Sequence, residues 1–299
     1  MKRFWKSLGI ILGVLLGLIV IVLAVFYFKG HAMLSRTYTI APENITIPSD
    51  AASIGRGKHF VQAICVDCHT GDLSGQTLLD APFAVVYSAN LTSGQGGAGV
   101  EFTDADWVRA LRHGVDNQGR DLVVMPAQVF WNFNDQDLGD VIAYLKSLPP
   151  VNKEHPDPQI NVLGNIMIGA DVFGPAIVSA NVIAHDQRPP VVSVGVTVPY
   201  GEYLVSVTGC HDCHGPQLAG GKSNKPGAID APNLTPGSEL SAWTDAQFIS
   251  TIRTGVTPSG HALNPAEMPW KSFNNYSDDE LRAIFLYVQS LPALPTAKP

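Results

Sequence analysis

The chain has 299 residues, of which 45% are hydrophobic and only 15% charged, and its net charge is −7. That length holds two ordinary domains with segments to spare. The lack of a basic stripe excludes nucleic acid as a partner. All four cysteines sit in two short motifs, which excludes a disulfide framework.

The first element reads as a membrane anchor. Lys2, Arg3 and Lys6 precede Leu8–Phe28, a run of 21 uncharged and almost wholly apolar residues. As a helix this run spans about 30 Å, the thickness of a bilayer core. A cleaved signal peptide has a shorter apolar region, about 7–15 residues, followed by a small-residue cleavage site. Here Tyr27-Phe28-Lys29 follows instead and reads as an interfacial belt. Residues 1–29 are therefore expected to span the membrane, with the cationic end in the cytoplasm and the rest of the chain on the outer face. Gly9, Gly13 and Gly17 form either a ridge that seats another helix or the glycine content common in such helices. Residues 30–51 are punctuated by proline and read as a tether.

An internal repeat follows, at 52–150 and 198–295, separated by a connector at 151–197. Asn90-Leu91-Thr92 answers to Asn233-Leu234-Thr235, Phe102-Thr103-Asp104-Ala105 to Trp243-Thr244-Asp245-Ala246, and Met125-Pro126 to Met268-Pro269. Leu111-Arg112-His113-Gly114-Val115 answers to Ile252-Arg253-Thr254-Gly255-Val256. Each copy reads as helices joined by loops. Tyr203, Leu204 and Val207 lie at helical spacing before the second motif. Thr103 and Thr244 are expected N-caps, and Thr244 with Gln247 and Ser277 with Glu280 are capping boxes. Pro149 and Pro292 end the last helices. No run of alternating strands stands out.

The chemistry resides in Cys65-Val66-Asp67-Cys68-His69 and Cys210-His211-Asp212-Cys213-His214. Cys-x-x-Cys-His is the spacing of covalent haem c attachment. In a helical turn, positions i, i+3 and i+4 share one face. Both thiols can then reach the two vinyl groups of one porphyrin while the histidine lies under the iron. Zinc ribbons place two cysteine pairs about 15–20 residues apart, whereas these pairs lie 145 apart. A redox dithiol of the thioredoxin kind needs a βαβ setting that this chain lacks. Cys65, Cys68, Cys210 and Cys213 are thus expected to hold two haems, with His69 and His214 as proximal ligands.

Met125 lies 56 residues after His69 and Met268 lies 54 after His214, the only methionines inside the repeats. A thioether is a soft, neutral donor known as a haem ligand opposite histidine, so both are expected distal ligands. Arg112 and Arg253 occupy matching positions, where a guanidinium could meet a haem propionate or lie on a solvated helix face. His113 and His261 have no histidine counterpart, and His31, His59, His155 and His185 have no evident partner.

In order, these motifs resemble the class I cytochrome c domain, twice over. The second copy, Tyr203 to Leu291, is similar to mono- and dihaem cytochromes c and to haem subunits of bacterial membrane dehydrogenases. The resemblance implies an all-α fold of two tandem cytochrome c domains after one transmembrane helix, His/Met-ligated haem c, maturation outside the cytoplasm and electron transfer. Many family members place Pro-Asn where a carbonyl accepts a bond from the proximal histidine. Pro232 matches that position, and Ala89 replaces it in the first copy. The loop from Gly119 to Met125 is also two residues shorter than that from Gly260 to Met268. The two haems are therefore expected to differ in potential.

Within the connector, the apolar stretch Ile160–Ile183 contains Asn165, Asp171 and Pro175 and is not a second span. It is expected to fill the groove between domains or to lie against the membrane surface or a partner. The function read from the sequence is one-electron transfer at the outer face of a bacterial cytoplasmic membrane, not catalysis on a substrate. The expected partners are a dehydrogenase or quinol-oxidising complex, a terminal oxidase or a soluble carrier. A dihaem enzyme such as a peroxidase, with one open iron, is the alternative, and a non-haem metal or redox-sensing module is a third reading.

Overall fold

The computed structural model describes residues 2–221 and 230–297. Met1 of the expected anchor and residues 222–229 of the second repeat lie outside the described residues. Helix α1, Lys2–Leu34, is 33 residues long, about 50 Å at 1.5 Å per residue. It outruns the apolar segment at both ends and is long and apolar enough to cross a membrane. A Cβ added at Gly9, Gly13 or Gly17 would meet nothing within 4 Å, so within this chain that ridge seats no helix.

The first repeat contains α2 (Ala51–Ile64), α3 (Val66–His69), α4 (Ala98–Glu101), α5 (Asp104–His113), α6 (Ala127–Phe130) and α7 (Asp135–Lys146). A hairpin of β1 (Thr77–Ala81) and β2 (Ala84–Tyr87) is inserted after α3. In the connector, β3 (Gln159–Ile160) adds to β2 antiparallel and is followed by α8 (Val162–Gly169). The second repeat has α9 (Val198–Thr208), α10 (Cys210–His214), α11 (Asp245–Thr254), α12 (Trp270–Phe273) and α13 (Asp278–Ser290). The architecture is all-α in its framework, and the small sheet is the feature the sequence pattern did not announce. Its strands are too short to establish an alternation. Their pairing depends on the turn at Pro82-Phe83 and on a connector about 70 residues away in the chain.

Local chemistry places the helix ends. Thr103 and Thr244 each cap their helix, and Asp106 and Gln247 return a bond to the cap backbone. Ser277 and Glu280 form the third box. Gly114 and Gly255, at φ 67° and 71°, close α5 and α11 in the left-handed conformation that glycine adopts without strain.

In each repeat the first helix crosses the last at a glycine. A Cβ on Gly57 would lie 1.9 Å from the Asp140 carbonyl oxygen, and one on Gly201 2.0 Å from that of Ala283. Around these crossings Phe60, Val61, Leu138, Ile142 and Leu145 are buried in one repeat, and Leu204, Val205, Leu281, Ile284 and Val288 in the other. The two sets join into one continuous apolar core.

The Asn-Leu-Thr motif proves to be a clasp. Asn90 Nδ2 donates to the Val151 carbonyl at 2.7 Å, and Asn233 Nδ2 to that of Leu294 at 2.8 Å. Thr92 and Thr235 donate through Oγ1 to the same asparagines. Each motif pins the strand of chain that leaves the last helix. Both asparagines are buried.

The tether does not hang loose. Tyr38 N–H donates to the Gly119 carbonyl, and Glu43, Ile45 and Ile47 pack on the first repeat. The connector's apolar stretch lies on α1 and the first repeat rather than in the groove between repeats. Its backbone needs partners, and the edge of β2 and the loop before Met125 supply them.

Candidate functional site

Each Cys-x-x-Cys-His stretch forms a helical turn at the end of a buried helix. The Cys65 N–H donates to the Val61 carbonyl, and the His69 N–H returns to that of Cys65, both at 2.9 Å. His69 Nδ1 lies 2.8 Å from the Ala89 carbonyl oxygen, and His214 Nδ1 lies 2.8 Å from that of Pro232. A carbonyl only accepts, so the proton of each ring sits on Nδ1 and the lone pair on Nε2 is left for a metal. Replacing proline by Ala89 therefore costs this bond nothing in length. Burial lowers the pKa of both imidazoles and keeps them neutral, as iron ligation requires.

Burial pushes the Cys65 and Cys210 thiols up to about 12, with Cys68 and Cys213 adding to the effect. Such thiols are poor thiolates, unlike those of redox dithiols. Among the described residues, no three His, Cys, Asp or Glu side chains converge as a zinc site needs. The donor set instead fits covalent haem c. Each turn presents two thiols and one imidazole nitrogen with its lone pair exposed by a fixed tautomer.

The two methionines are presented on the same backbone device. The Ala127 N–H donates to the Met125 carbonyl at 2.8 Å, and the Trp270 N–H to that of Met268 at 2.7 Å. Between them Pro126 (φ −81°, ψ 58°) and Pro269 (φ −77°, ψ 51°) form inverse γ-turns. Proline suits the turn because its ring already holds φ near about −65° and no N–H is left over. Met125 and Met268 are both half-buried against the core.

Arg112 and Arg253 both donate to protein groups. Arg112 Nη2 donates to the Phe133 carbonyl at 2.8 Å, and its Nη1 to Asp135 at 2.8 Å and Glu43 at 2.7 Å. Arg253 Nη2 donates to the Tyr276 carbonyl at 2.6 Å and to Asp278 at 2.7 Å. Each arginine ties the end of its middle helix to the entrance of the last one. The geometry supports this bracing role because the bonds run to a backbone carbonyl and an N-terminal helix carboxylate at matching positions.

A buried polar chain is attached to the first arginine. Glu43 accepts from Arg112, from His113 Nε2 at 2.6 Å and from Arg188 at 2.9 Å. His113 Nδ1 faces His185 Nδ1 at 3.0 Å, and His185 Nε2 faces the Ala180 carbonyl at 3.0 Å. The last contact needs a proton on His185 Nε2, and each of the other two needs one proton between its partners. Beside these contacts, Ser179 Oγ donates to the Met125 carbonyl at 2.5 Å, Val124 N–H to Ile177, and Ala180 N–H to Asp121 at 2.8 Å.

The repeats face each other through a pair of contacts with two-fold character. His59 on α2 reaches Glu280 on α13 at 3.0 Å. At the matching positions, Tyr203 on α9 donates to Asp137 on α7 at 2.5 Å. Each acceptor is the third residue of a last helix. Ser272 Oγ also donates to Asp67, inside the first motif, at 2.7 Å. Sequence reasoning found no partner for His59 or His185. The signal available for His59 was its register: it stands at the position of Tyr203, and Glu280 already belonged to a capping box.

The family model described as cytochrome c matches residues 54–149 and 199–292. The chain is similar to the fructose dehydrogenase cytochrome subunit of Gluconobacter japonicus, 29% identical over 268 residues, covering 81% of this chain and 53% of that protein. It is similar to the cytochrome c subunit of the quinone alcohol dehydrogenase of Gluconobacter oxydans, 27% identical over 280 residues, covering 84% and 57%. It also resembles the gluconate 2-dehydrogenase cytochrome c subunit of Pantoea cypripedii, 25% identical over 273 residues, covering 81% and 60%. The chain thus spans little more than half of the length of these relatives.

Proposed function

Because this chain belongs to the cytochrome c family, which its two matched regions establish, we propose that it is an electron-transfer subunit carrying two covalent haem c groups. It serves a membrane dehydrogenase and is held by α1 at the outer face of the cytoplasmic membrane. The relatives named as cytochrome subunits of dehydrogenases support the partner class, and the length and exposure of α1 support the anchor. When bound, each haem c supplies a one-electron redox centre.

The protein's residues do the rest. Cys65 and Cys68, and Cys210 and Cys213, hold the group in place. His69 and His214 present Nε2, their rings oriented by the carbonyls of Ala89 and Pro232. Met125 and Met268, each on a turn stiffened by proline, would offer the iron a thioether sulfur. His59, Tyr203, Asp137 and Glu280 keep the two repeats in one relative position, which fixes the distance between the centres.

The observation that carries this reading is the duplicated proximal bond, at 2.8 Å in both repeats, on a duplicated attachment motif. Presentation of both methionines on one turn type favours a carrier over a peroxidase, which needs one displaceable ligand. A haem stain after denaturing electrophoresis, with a pyridine haemochrome assay, should give two covalent haems per chain. One per chain after Cys68→Ala with Cys65→Ala is the expected control. A colourless chain, or pigment lost to acid acetone, overturns the proposal.

A further inference from the structure

α8 descends along α1 toward its apolar run. A Cβ on Gly30 would lie 2.0 Å from the Asn165 carbonyl oxygen, and one on Gly169 would lie 1.9 Å from that of Phe26. Residue 165 is thus level with 30, and 169 with 26, so the two helices run antiparallel with their backbones in contact. This is the close packing that small residues allow between helices in lipid. No charged residue occurs between Gln159 and Ala170.

The turn after α8 is consequently on the membrane side of Lys29. Asp171 makes it with φ 60°, and Val172, at its tip, is 56% exposed. Phe173 packs on Phe83 with ring centroids 5.6 Å apart. The connector half-covers Ala24, Phe26 and Tyr27 of α1, while Leu23, Val25 and Phe28 beside them stay exposed. The apolar surface of the turn is therefore continuous with the outward surface of α1. The charged groups at this level are Lys29 and Asp171, both exposed, and a headgroup layer accommodates both.

We infer that the C-terminal half of α8 and the turn at 170–174 enter the outer interface of the bilayer, as a second, monotopic membrane contact of this chain. The occupant of this surface is lipid, because the surface continues the face of α1 that lipid already covers. The inference rests on the reading of α1 as an anchor and adds a consequence. Ser179, which holds the Met125 carbonyl, follows Gly174 by five residues, at most about 18 Å of chain. The first repeat is thus clamped with its methionine loop close to the membrane surface.

The test uses the full chain in phosphatidylcholine vesicles, with nitroxide labels at Val172→Cys, Ala170→Cys, Val182→Cys and Leu18→Cys, one per variant. Relaxation by oxygen, which concentrates in lipid, is compared with relaxation by a water-soluble nickel chelate. The unsubstituted chain gives the background labelling. Labels at 172 and 170 should favour oxygen several-fold over the label at 182 and should approach the one at 18. Two positions are used so that a local disturbance at one does not decide the outcome. Labels at 170 and 172 that see water while 18 sees lipid overturn this contact alone. A label at 18 that sees water overturns the anchor itself, and this contact with it.

Discussion

The two repeats share a scaffold and differ in what is laid upon it. Glycine crossings, Asn-Leu-Thr clasps, arginine braces and Met-Pro turns coincide residue for residue. Yet Arg112 is fully buried under the tether's Glu43, whereas the Arg253 side chain is 28% exposed and its carboxylate, Asp278, lies in solvent. The Met125 loop is bonded by Ile177, Ser179 and Ala180, all connector residues. The N–H groups of Met125 and Met268 both bond within their own loops, to the Leu122 and Asn264 carbonyls, so the connector bonds are what the first loop adds. A duplicated domain thus acquires a private environment from the segments that flank it, without changing its own motifs.

The largest test of this contrast is at the arginines. Arg112→Ala removes one of the donors to buried Glu43, which keeps His113 and Arg188, and takes from the Phe133 carbonyl its Arg112 bond; it should cost about 3 kcal/mol. Arg253→Ala removes a more exposed brace and should cost about 1 kcal/mol. Denaturant unfolding of the full chain measures both, and equal losses would break the comparison.

The scaffold itself should respond symmetrically. Gly57→Ala and Gly201→Ala each force a Cβ into a backbone carbonyl, and each should cost about 1–3 kcal/mol. A clear inequality would mean that the two crossings are not equivalent. Ser179→Ala should affect only the first repeat, by about 1 kcal/mol. Its signature is a weakened far-red methionine–iron band at one centre, with the other unchanged.

Two pH effects sharpen the contrast further. Burial pushes Asp121 up to about 7, with Asp116 adding to it and the Ala180 N–H opposing. An acid whose folded pKa is raised binds more protons folded than unfolded. The first repeat should therefore lose stability as pH rises from 3.8 to about 7, and Asp121→Asn should flatten that slope.

At the repeat interface, burial pulls His59 down, but the Glu280 carboxylate outweighs it and the net shift from 6.5 is upward. Glu280 is raised by burial, but His59 and the Ser277 cap together lower it more, for a net fall from 4.5. The His59 contribution is complete below 6.5 and lost as pH rises through its raised folded value. That of Glu280 is complete above 4.5 and lost as pH falls through its lowered one. His59→Gln should remove the alkaline loss in a melting-temperature profile and leave the Asp121 slope in place.

The attachment motifs, helix caps and methionine turns were readable because they are local. A Cys-x-x-Cys-His turn or a Thr-x-x-Gln cap needs only neighbours in the chain to acquire its geometry. The bond from His69 to residue 89 was expected from the family resemblance, and it survives at Ala89 because any residue there offers a carbonyl. Arg112 and His59 were not readable in the same way. A guanidinium is equally at home on a propionate, a helix carboxylate or in water, and which one it meets depends on segments far away. Glu43, which takes Arg112 and His113 together, lies 69 and 70 residues from them.

By itself, then, the amino-acid order determined two Cys-x-x-Cys-His turns, the helical frame around each, and an apolar helix ahead of both. Spacing of a few residues sets those features, and covalent geometry leaves little choice. Tertiary structure alone decided that the arginines brace helices, that His59 and Tyr203 join the repeats, and that the connector binds the anchor and one methionine loop. Those outcomes depend on which distant groups compete for the same buried donors, and only the closed chain settles that competition.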